Sequence, residues 1–150
     1  FLQPGDIGYV STIPHGLIAA TVDQGVSQWG CMGFAIPYAT SHEQIGAGLQ
    51  NTIALFDSCN SSNAATLCYN LVLNGKSDWF LPSRAELEKL FLIPNLVGGI
   101  DNSAIYWSST QNNAYSNSWT PYFAFGNCVS CGSGYYEKSQ AFKVRAMRYF

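Results

Sequence analysis

Apolar positions alternate weakly through GDIGYVSTIP, residues 5–14, and again through HGLIAATVD, residues 15–23. This predicts two strands, the first bounded by Pro14 and the second ended by Asp23. Residues 24–41 lose the pattern and read as a loop carrying Trp29, Cys31, Phe34 and Tyr38. From about Ser41 the period changes. Ser41 can cap a helix, Gln44 stands three residues on, and Ile45, Leu49, Ile53 and Phe56 keep helical spacing. A second helix is predicted over 63–73, with Asn74-Gly75 as its stop.

The stretch KSDWFLPSRAELEKL, Lys76 to Leu90, combines an apolar extended segment with a charged helix start. Pro82 disfavours the helical region for Leu81, so the chain is extended through Trp79, Phe80 and Leu81. Ser83 and Glu86 have the spacing of a capping box, in which each side chain bonds the other's backbone N–H. Glu86 and Glu88 suit the positive end of the helix dipole, and Lys89 comes later. Leu87, Leu90 and Phe91 supply the apolar face, and Pro94 ends the helix. The motif reads as scaffold rather than as a reactive site.

The last third is rich in β-branched and aromatic residues. IYWSST (105–110), SWTPYFAF (118–125) and QAFKVRAMRYF (140–150) read as strands. Polar or glycine-rich connections separate them. Strands, then helices, then a strand-rich end predict an α+β fold, with the helices segregated from a compact sheet. The length of 150 residues predicts one domain, residues 1–150.

Composition narrows the function. Charged residues are only 11% of the chain, well below the ~25% usual for soluble domains. Aromatics reach 15%, so the surface must rely on Ser, Asn, Gln, Thr, Tyr and Gly. Such a surface suits a secreted protein that binds by polar and aromatic contact. The net charge of −2 argues against nucleic acid, whose affinity rests on many cations neutralising phosphates. The last fourteen residues are locally basic: Lys138, Lys143, Arg145 and Arg148 stand against Glu137. They read either as ordinary solvated charge or as a small anion-binding patch. No stretch approaches the ~18 apolar residues of a membrane span, so no membrane insertion is expected. A start at FLQPGDIG without Met reads as a mature or excised segment.

Five cysteines with few lysines favour an oxidising compartment. An odd number leaves one thiol free or paired outside the chain. Cys128 and Cys131 form C-x-x-C between glycine-rich flanks, which reads as a loop disulfide rather than a redox or zinc site. Cys59 and Cys68 are the expected second bridge, closing the loop between two helices. His15 and His42 show no recognisable pairing with a Ser or Cys nucleophile, so no catalytic residue is expected. No cofactor or metal is expected either.

One family pattern draws these motifs together. It comprises Gly75, Ser77, Asp78, Trp79, Leu81, Pro82, Ser83, Glu86 and Leu87; then Tyr106 to Thr110 (YWSST); then Trp119; then Val144, Arg145, Ala146, Arg148 and Phe150. HGLIAA, DQG and QWGC (within 15–31) extend it. The combination resembles the C-terminal domain of the Legionella collagen-like adhesin, a family that includes targets of diversity-generating retroelements. The resemblance implies a C-type-lectin-like fold with small antiparallel sheets and about three helices, related to the formylglycine-generating sulfatase-modifying fold. It implies secretion or display on a bacterial surface, and ligand binding, often to carbohydrate. It implies trimers in several members. Asp78, Trp79, Pro82, Ser83, Glu86, Trp107, Arg145 and Arg148 would then be structural hallmarks, and residues 111–140 the variable binding face. The calcium-dependent lectin signatures E-P-N, Q-P-D and W-N-D are absent.

On that face Asn113, Tyr115, Asn117, Trp119, Tyr122, Tyr135, Tyr136 and Lys138 are the candidate ligand-binding residues. Aromatic rings stack on the C–H faces of sugars, while Asn and Ser meet their hydroxyls. The main reading is an extracellular, non-catalytic adhesin-like module recognising a glycan or a cell-surface protein. The alternative is a structural subunit of an extracellular fibre or trimeric tip, with the same aromatics forming subunit contacts in a homo-oligomer. A third reading, a formylglycine-generating-like oxidase using Cys128 and Cys131, rests on fold analogy alone.

Overall fold

The computed structural model describes residues 1–33, 36, 42–59, 61–111, 117–121 and 133–150, with 117–121 and 133–135 described by their backbone. Among them are six short strands, β1 (Leu17–Ala19), β2 (Gly25–Gln28), β3 (Asn117–Pro121), β4 (Ser133–Glu137), β5 (Ala141–Val144) and β6 (Met147–Tyr149). Four helices are also present, α1 (Gly48–Ser58), α2 (Ala64–Tyr69), α3 (Arg84–Leu92) and α4 (Pro94–Val97). The fold is α+β, as the order of patterns predicts.

The strands form three antiparallel pairs, β1 with β6, β2 with β5, and β3 with β4. Both pairs near the termini are extended by single bridges. Phe80 and Met147 exchange backbone hydrogen bonds of 2.8 and 2.9 Å, which places the apolar segment before Pro82 beside β6. Lys143 N–H donates to Ile105 O at 3.0 Å and Trp107 N–H donates to Lys143 O at 3.0 Å, which places YWSST beside β5.

Several boundaries differ from the sequence expectation. Residues 5–14 form turns and no strand; their one bridge, Val10 with Ile13, is local. The 15–23 strand is confined to β1, and the 24–41 loop contains β2. The first helix begins at Gly48, and its N-cap Ala47 makes no side-chain cap. The turn before it is held elsewhere: Ala85 N–H donates to Glu43 O at 3.0 Å and Gly46 N–H to Glu86 Oε1 at 2.8 Å. Gly46 sits at φ +95°, which breaks helical continuity.

The helix expected over 63–73 is the shorter α2, opened by an Asn63–Thr66 capping box. Asn74-Gly75 is a two-residue hairpin turn instead of a helix stop. Both residues have positive φ (55° and 71°), and Leu73 and Lys76 exchange hydrogen bonds of 3.0 and 3.1 Å across it. The C-terminal run splits at Arg145–Ala146 into β5 and β6, which pair with different partners. Pro94 opens α4 at its first position, where the lost N–H costs nothing.

Two apolar clusters make the core. One gathers Trp29, Leu55, Ala64, Trp79, Leu81, Trp107 and Val144; the other gathers Phe80, Leu87, Leu90, Phe91, Tyr106 and Met147. The three tryptophans of the first cluster each find an acceptor. Trp29 donates to Ser108 O at 2.8 Å, Trp107 to Ser27 O at 2.9 Å and Trp79 to Lys76 O at 3.1 Å. Burying indole without such a partner would leave an unsatisfied donor, at a cost of about 1–3 kcal/mol. The motif tryptophans therefore carry both packing area and register.

Candidate functional site

Ser83, Glu86, Arg145 and Arg148 are each tied into the fold by hydrogen bonds. Ser83 caps α3: Glu86 N–H donates to Ser83 Oγ at 3.3 Å, and Ser83 N–H donates to Glu86 Oε2 at 2.7 Å. Glu86 is fully buried and also accepts from Gly46 N–H and from the Tyr149 hydroxyl at 3.1 Å. Its carboxyl thus joins the α3 start, the turn before α1 and β6. Burial pushes its pKa above the ordinary 4.5, against the hydrogen bonds that favour the anion. Gly48 packs against the Glu86 carboxylate and the Phe80 ring, leaving no room for a side chain there.

Arg145 is buried and saturated. It donates to Asp23 Oδ1 at 2.7 Å, to Ala20 O at 2.9 Å, to Gly98 O at 3.3 Å and to Gly99 O. It clamps the end of β1 to the loop after α4. Asp23 also accepts from the Tyr106 hydroxyl at 3.0 Å and pairs with Lys143 at 3.3 Å. Lys143 reaches Asp101 at 2.9 Å. The Asp101 carboxyl is held down at about 2 by hydrogen bonds from Ser103 and then from Lys143. Arg148 forms a two-point pair with Asp78 at 2.8 and 2.7 Å, and this hydrogen bond holds the Asp78 carboxyl below its ordinary range.

Two buried polar residues of α1 escaped the sequence reading. Asn51 donates to His42 O at 2.7 Å and to Ser109 Oγ at 3.3 Å. Thr52 Oγ1 accepts from Leu81 N–H at 2.9 Å and donates to Gly48 O at 2.7 Å. They tie the extended segment before Pro82 and the WSST segment to the helix. The available signal was the run of three polar residues, Gln50, Asn51 and Thr52, between the apolar positions Leu49 and Ile53.

The candidate ligand-binding residues divide three ways. Asn113, Tyr115 and Tyr122 lie outside the described residues. Asn117, Trp119 and Tyr135 lie on the β3–β4 pair, where Asn117 opposes Glu137 and Trp119 opposes Tyr135. Tyr136 and Lys138 have described side chains, and both are packed. Tyr136 meets Phe142 edge-on, with ring centroids 5.0 Å apart.

Lys138 corrects the expectation of a solvent-facing contact. It is fully buried, with Nζ 4.6 Å from the Trp29 ring centroid and donating to Gln111 Oε1 at 3.0 Å and Cys31 O at 3.4 Å. Desolvation lowers its pKa to about 8. Gln111, itself buried, also accepts from Ile36 N–H at 3.2 Å, and its Nε2 has no hydrogen-bond partner among the described residues. The basic tail read from sequence is therefore no anion-binding patch: Lys138 is inside, and Lys143, Arg145 and Arg148 each face a carboxylate.

The cysteine expectation is corrected as well. Cys59 pairs with Cys31, not with Cys68. Cys68 is a buried free thiol, and burial raises its pKa well above the ordinary value. Cys68 lies on α2 facing the core, whereas Cys31 follows β2 at the start of the connection to α1. Cys128 and Cys131 lie outside the described residues. Among the described residues no group of three or more His, Cys, Asp or Glu could hold a metal.

A concave surface of about 360 Å³ lies elsewhere, between the N-terminal segment, β1 and the α3–α4 corner. Leu17, Ala19, Leu90, Ile93 and Val97 line it, with Phe1 at its edge. Asp6 and Lys89 are the charged side chains that line it among the described residues. Apolar exposure is strong here: Phe1 is 82% exposed, Leu92 65% and Ile93 47%.

No family model matches the chain, and no curated protein matches it. Among solved structures, the chain is similar to a fimbrial protein from Bacteroides ovatus, with a TM-score of 0.57 and 16% identity. The likeness covers 88% of this chain and 35% of that one, so the chain spans about a third of the fimbrial protein's length. At this identity the likeness is one of fold. Among the described residues no helix is long and apolar enough to cross a membrane.

Proposed function

We propose that the chain is an extracellular, fibre-associated module of a bacterial surface, a structural subunit or tip that works without catalysis. The observation that carries the reading is the fold shared with a fimbrial protein over 88% of this chain. The Cys31–Cys59 disulfide fits an oxidising, external compartment. The exposed apolar residues about the α3–α4 corner fit a surface covered by a neighbour in an assembly. Sedimentation velocity and electron microscopy of the purified chain over a range of concentrations test it. Concentration-dependent growth of polymers or closed oligomers, without added ligand, is the expected result. A monomer at every concentration removes the subunit reading and leaves at most a monomeric tip.

A second reading, recognition of a glycan or surface protein, is favoured by the β3–β4 register. It sets Trp119 opposite Tyr135 and gathers Asn117 and Tyr136 on the same hairpin. A glycan array at two salt concentrations separates it: salt-insensitive binding of neutral sugars supports stacking, and no binding returns the weight to assembly. The oxidase reading predicts copper binding by Cys128 and Cys131; a disulfide between them that resists mild reductant ends it.

A further inference from the structure

We propose that the groove beside β1 is a docking site for an extended peptide segment of another protein, added as a strand to the free edge of β1. Hydrogen bonds alternate along β1. Gly16 and Phe150 exchange backbone bonds of 3.3 and 3.1 Å, and Ala20 N–H donates to Ala146 O at 2.8 Å. In an antiparallel pair such bonded positions alternate, so Ile18 bonds Arg148 between them. The N–H and C=O of Leu17 and Ala19 therefore point away from β6. No backbone or side-chain partner meets these four groups among the described residues. They sit one pleat repeat apart, roughly 6.6–6.8 Å, which is the spacing an added strand matches.

The second observation is where this edge lies. Leu17 and Ala19 both line the groove, together with Met147 of β6 and with Leu90, Ile93 and Val97 of the α3–α4 corner. An edge exposed to open water needs no occupant. An edge that forms one wall of an apolar trough fits a strand whose backbone bonds β1 while alternate side chains enter the trough. The third observation is charge. Asp6 and Lys89 line the same groove, and neither has an ion-pair partner among the described residues. They complement a segment carrying a cation and a carboxylate on either side of its apolar positions. The occupant is thus an extended, alternating apolar peptide with one basic and one acidic flank.

The groove shares Leu92 and Ile93 with the apolar surface assigned above to a fibre neighbour, but the two readings are tested separately: peptide capture can fail while the chain polymerises, and the reverse. The probes are two N-acetylated, C-amidated heptapeptides, Lys-Val-Thr-Val-Thr-Val-Glu and its charge-swapped form starting with Glu and ending with Lys. A control carries Pro for the central Val. Binding is read by amide chemical shifts and by hydrogen exchange of Leu17 and Ala19. One charge order is expected to bind, to slow exchange at both amides at least 10-fold, and to lose at least 10-fold in affinity in the Pro control. Ala19→Pro removes an outward N–H that β6 does not use, and is expected to weaken binding by a similar factor. The double change Asp6→Lys, Lys89→Glu gives up the Gln3 N–H to Asp6 hydrogen bond of 2.7 Å and is expected to reverse the preference between the two peptides. No response at Leu17 and Ala19 up to millimolar peptide overturns the proposal. So does equal binding of the Pro control. Shifts at these amides that grow with protein concentration alone assign the groove to a second copy of this chain and overturn it too.

Discussion

The Cys31–Cys59 bridge is the feature of this fold most open to a quantitative challenge. It closes a loop of 28 residues in sequence separation. In the chain-entropy account, cross-linking at that separation removes about 12 cal/mol/K from the unfolded ensemble, or about 3.6 kcal/mol at 25 °C. A bridge between Cys59 and Cys68, nine residues apart, would contribute only about 2.6 kcal/mol by the same relation. The variant Cys31→Ser, Cys59→Ser breaks the bridge without reductant, so Cys128 and Cys131 keep whatever state they have. Urea unfolding should show a loss of about 3–4 kcal/mol, with a larger m-value because the unfolded chain exposes more surface. Cys68→Ala should instead leave the bridge in place and cost only the cavity of a buried thiol, about 1 kcal/mol. Non-reducing peptide mapping of the unmodified chain is the direct check. A cross-linked peptide joining Cys59 to Cys68 would refute the pairing, and a cost below 1 kcal/mol for the double variant would refute the entropy argument.

Arg145→Met should be among the most damaging single changes, costing about 3–5 kcal/mol in denaturant melts, because it leaves Asp23 and three carbonyls without their buried donor. Glu86 has a raised folded pKa, so the native state holds its proton more tightly than the unfolded chain does. That contribution is fully present below the unfolded value and is lost as pH rises through the folded one. Urea midpoints should therefore fall as pH rises above 4.5, and Glu86→Gln should flatten this part of the profile. On immobilised heparin the chain should elute below about 0.15 M salt, since its basic tail is engaged internally; retention well above that would contradict the placement of Lys138 and Lys143.

The elements legible in the sequence were those set by local chemistry. Ser83 and Glu86 formed their capping box because the spacing alone determines it. The extended segment before Pro82 followed from the proline's restriction of Leu81. The errors came where a distant contact decided the outcome. Nothing near Ser41 announces that Glu86 and Ala85 bind the backbone of residues 43–46, and this delays α1 to Gly48. Asn74-Gly75 carries the same residues whether it stops a helix or turns a hairpin, and only the Leu73–Lys76 pairing chooses. The cysteine pairing failed for the same reason, since proximity in sequence favoured Cys68 over Cys31. Of the candidate site, the sequence read Tyr135 and Tyr136 as part of a connecting loop, whereas they lie on β4, because the glycines around them hid a strand that only pairing with β3 defines. The sequence could not show that Trp29 and Gln111 enclose Lys138.

The disposition of charge argues what kind of surface this is. The chain has seven Lys and Arg residues. Arg84 bridges Glu43 and Glu88, Lys143 bridges Asp23 and Asp101, and Arg148 holds Asp78. Arg145 and Lys138 are buried. Of the cations that are not buried, Lys76 and Lys89 take part in no ion pair among the described residues. A polyanion needs several mobile cations in register, and two separated lysines do not provide them. What the surface offers for contact is then backbone edges, amides and aromatic or aliphatic area, which salt screens little. Those are the materials of the β1 groove and of the β3–β4 hairpin. Lys89, one of the two remaining cations, lines that groove, where a single charge can set the direction of a bound strand although it could not hold a polyanion.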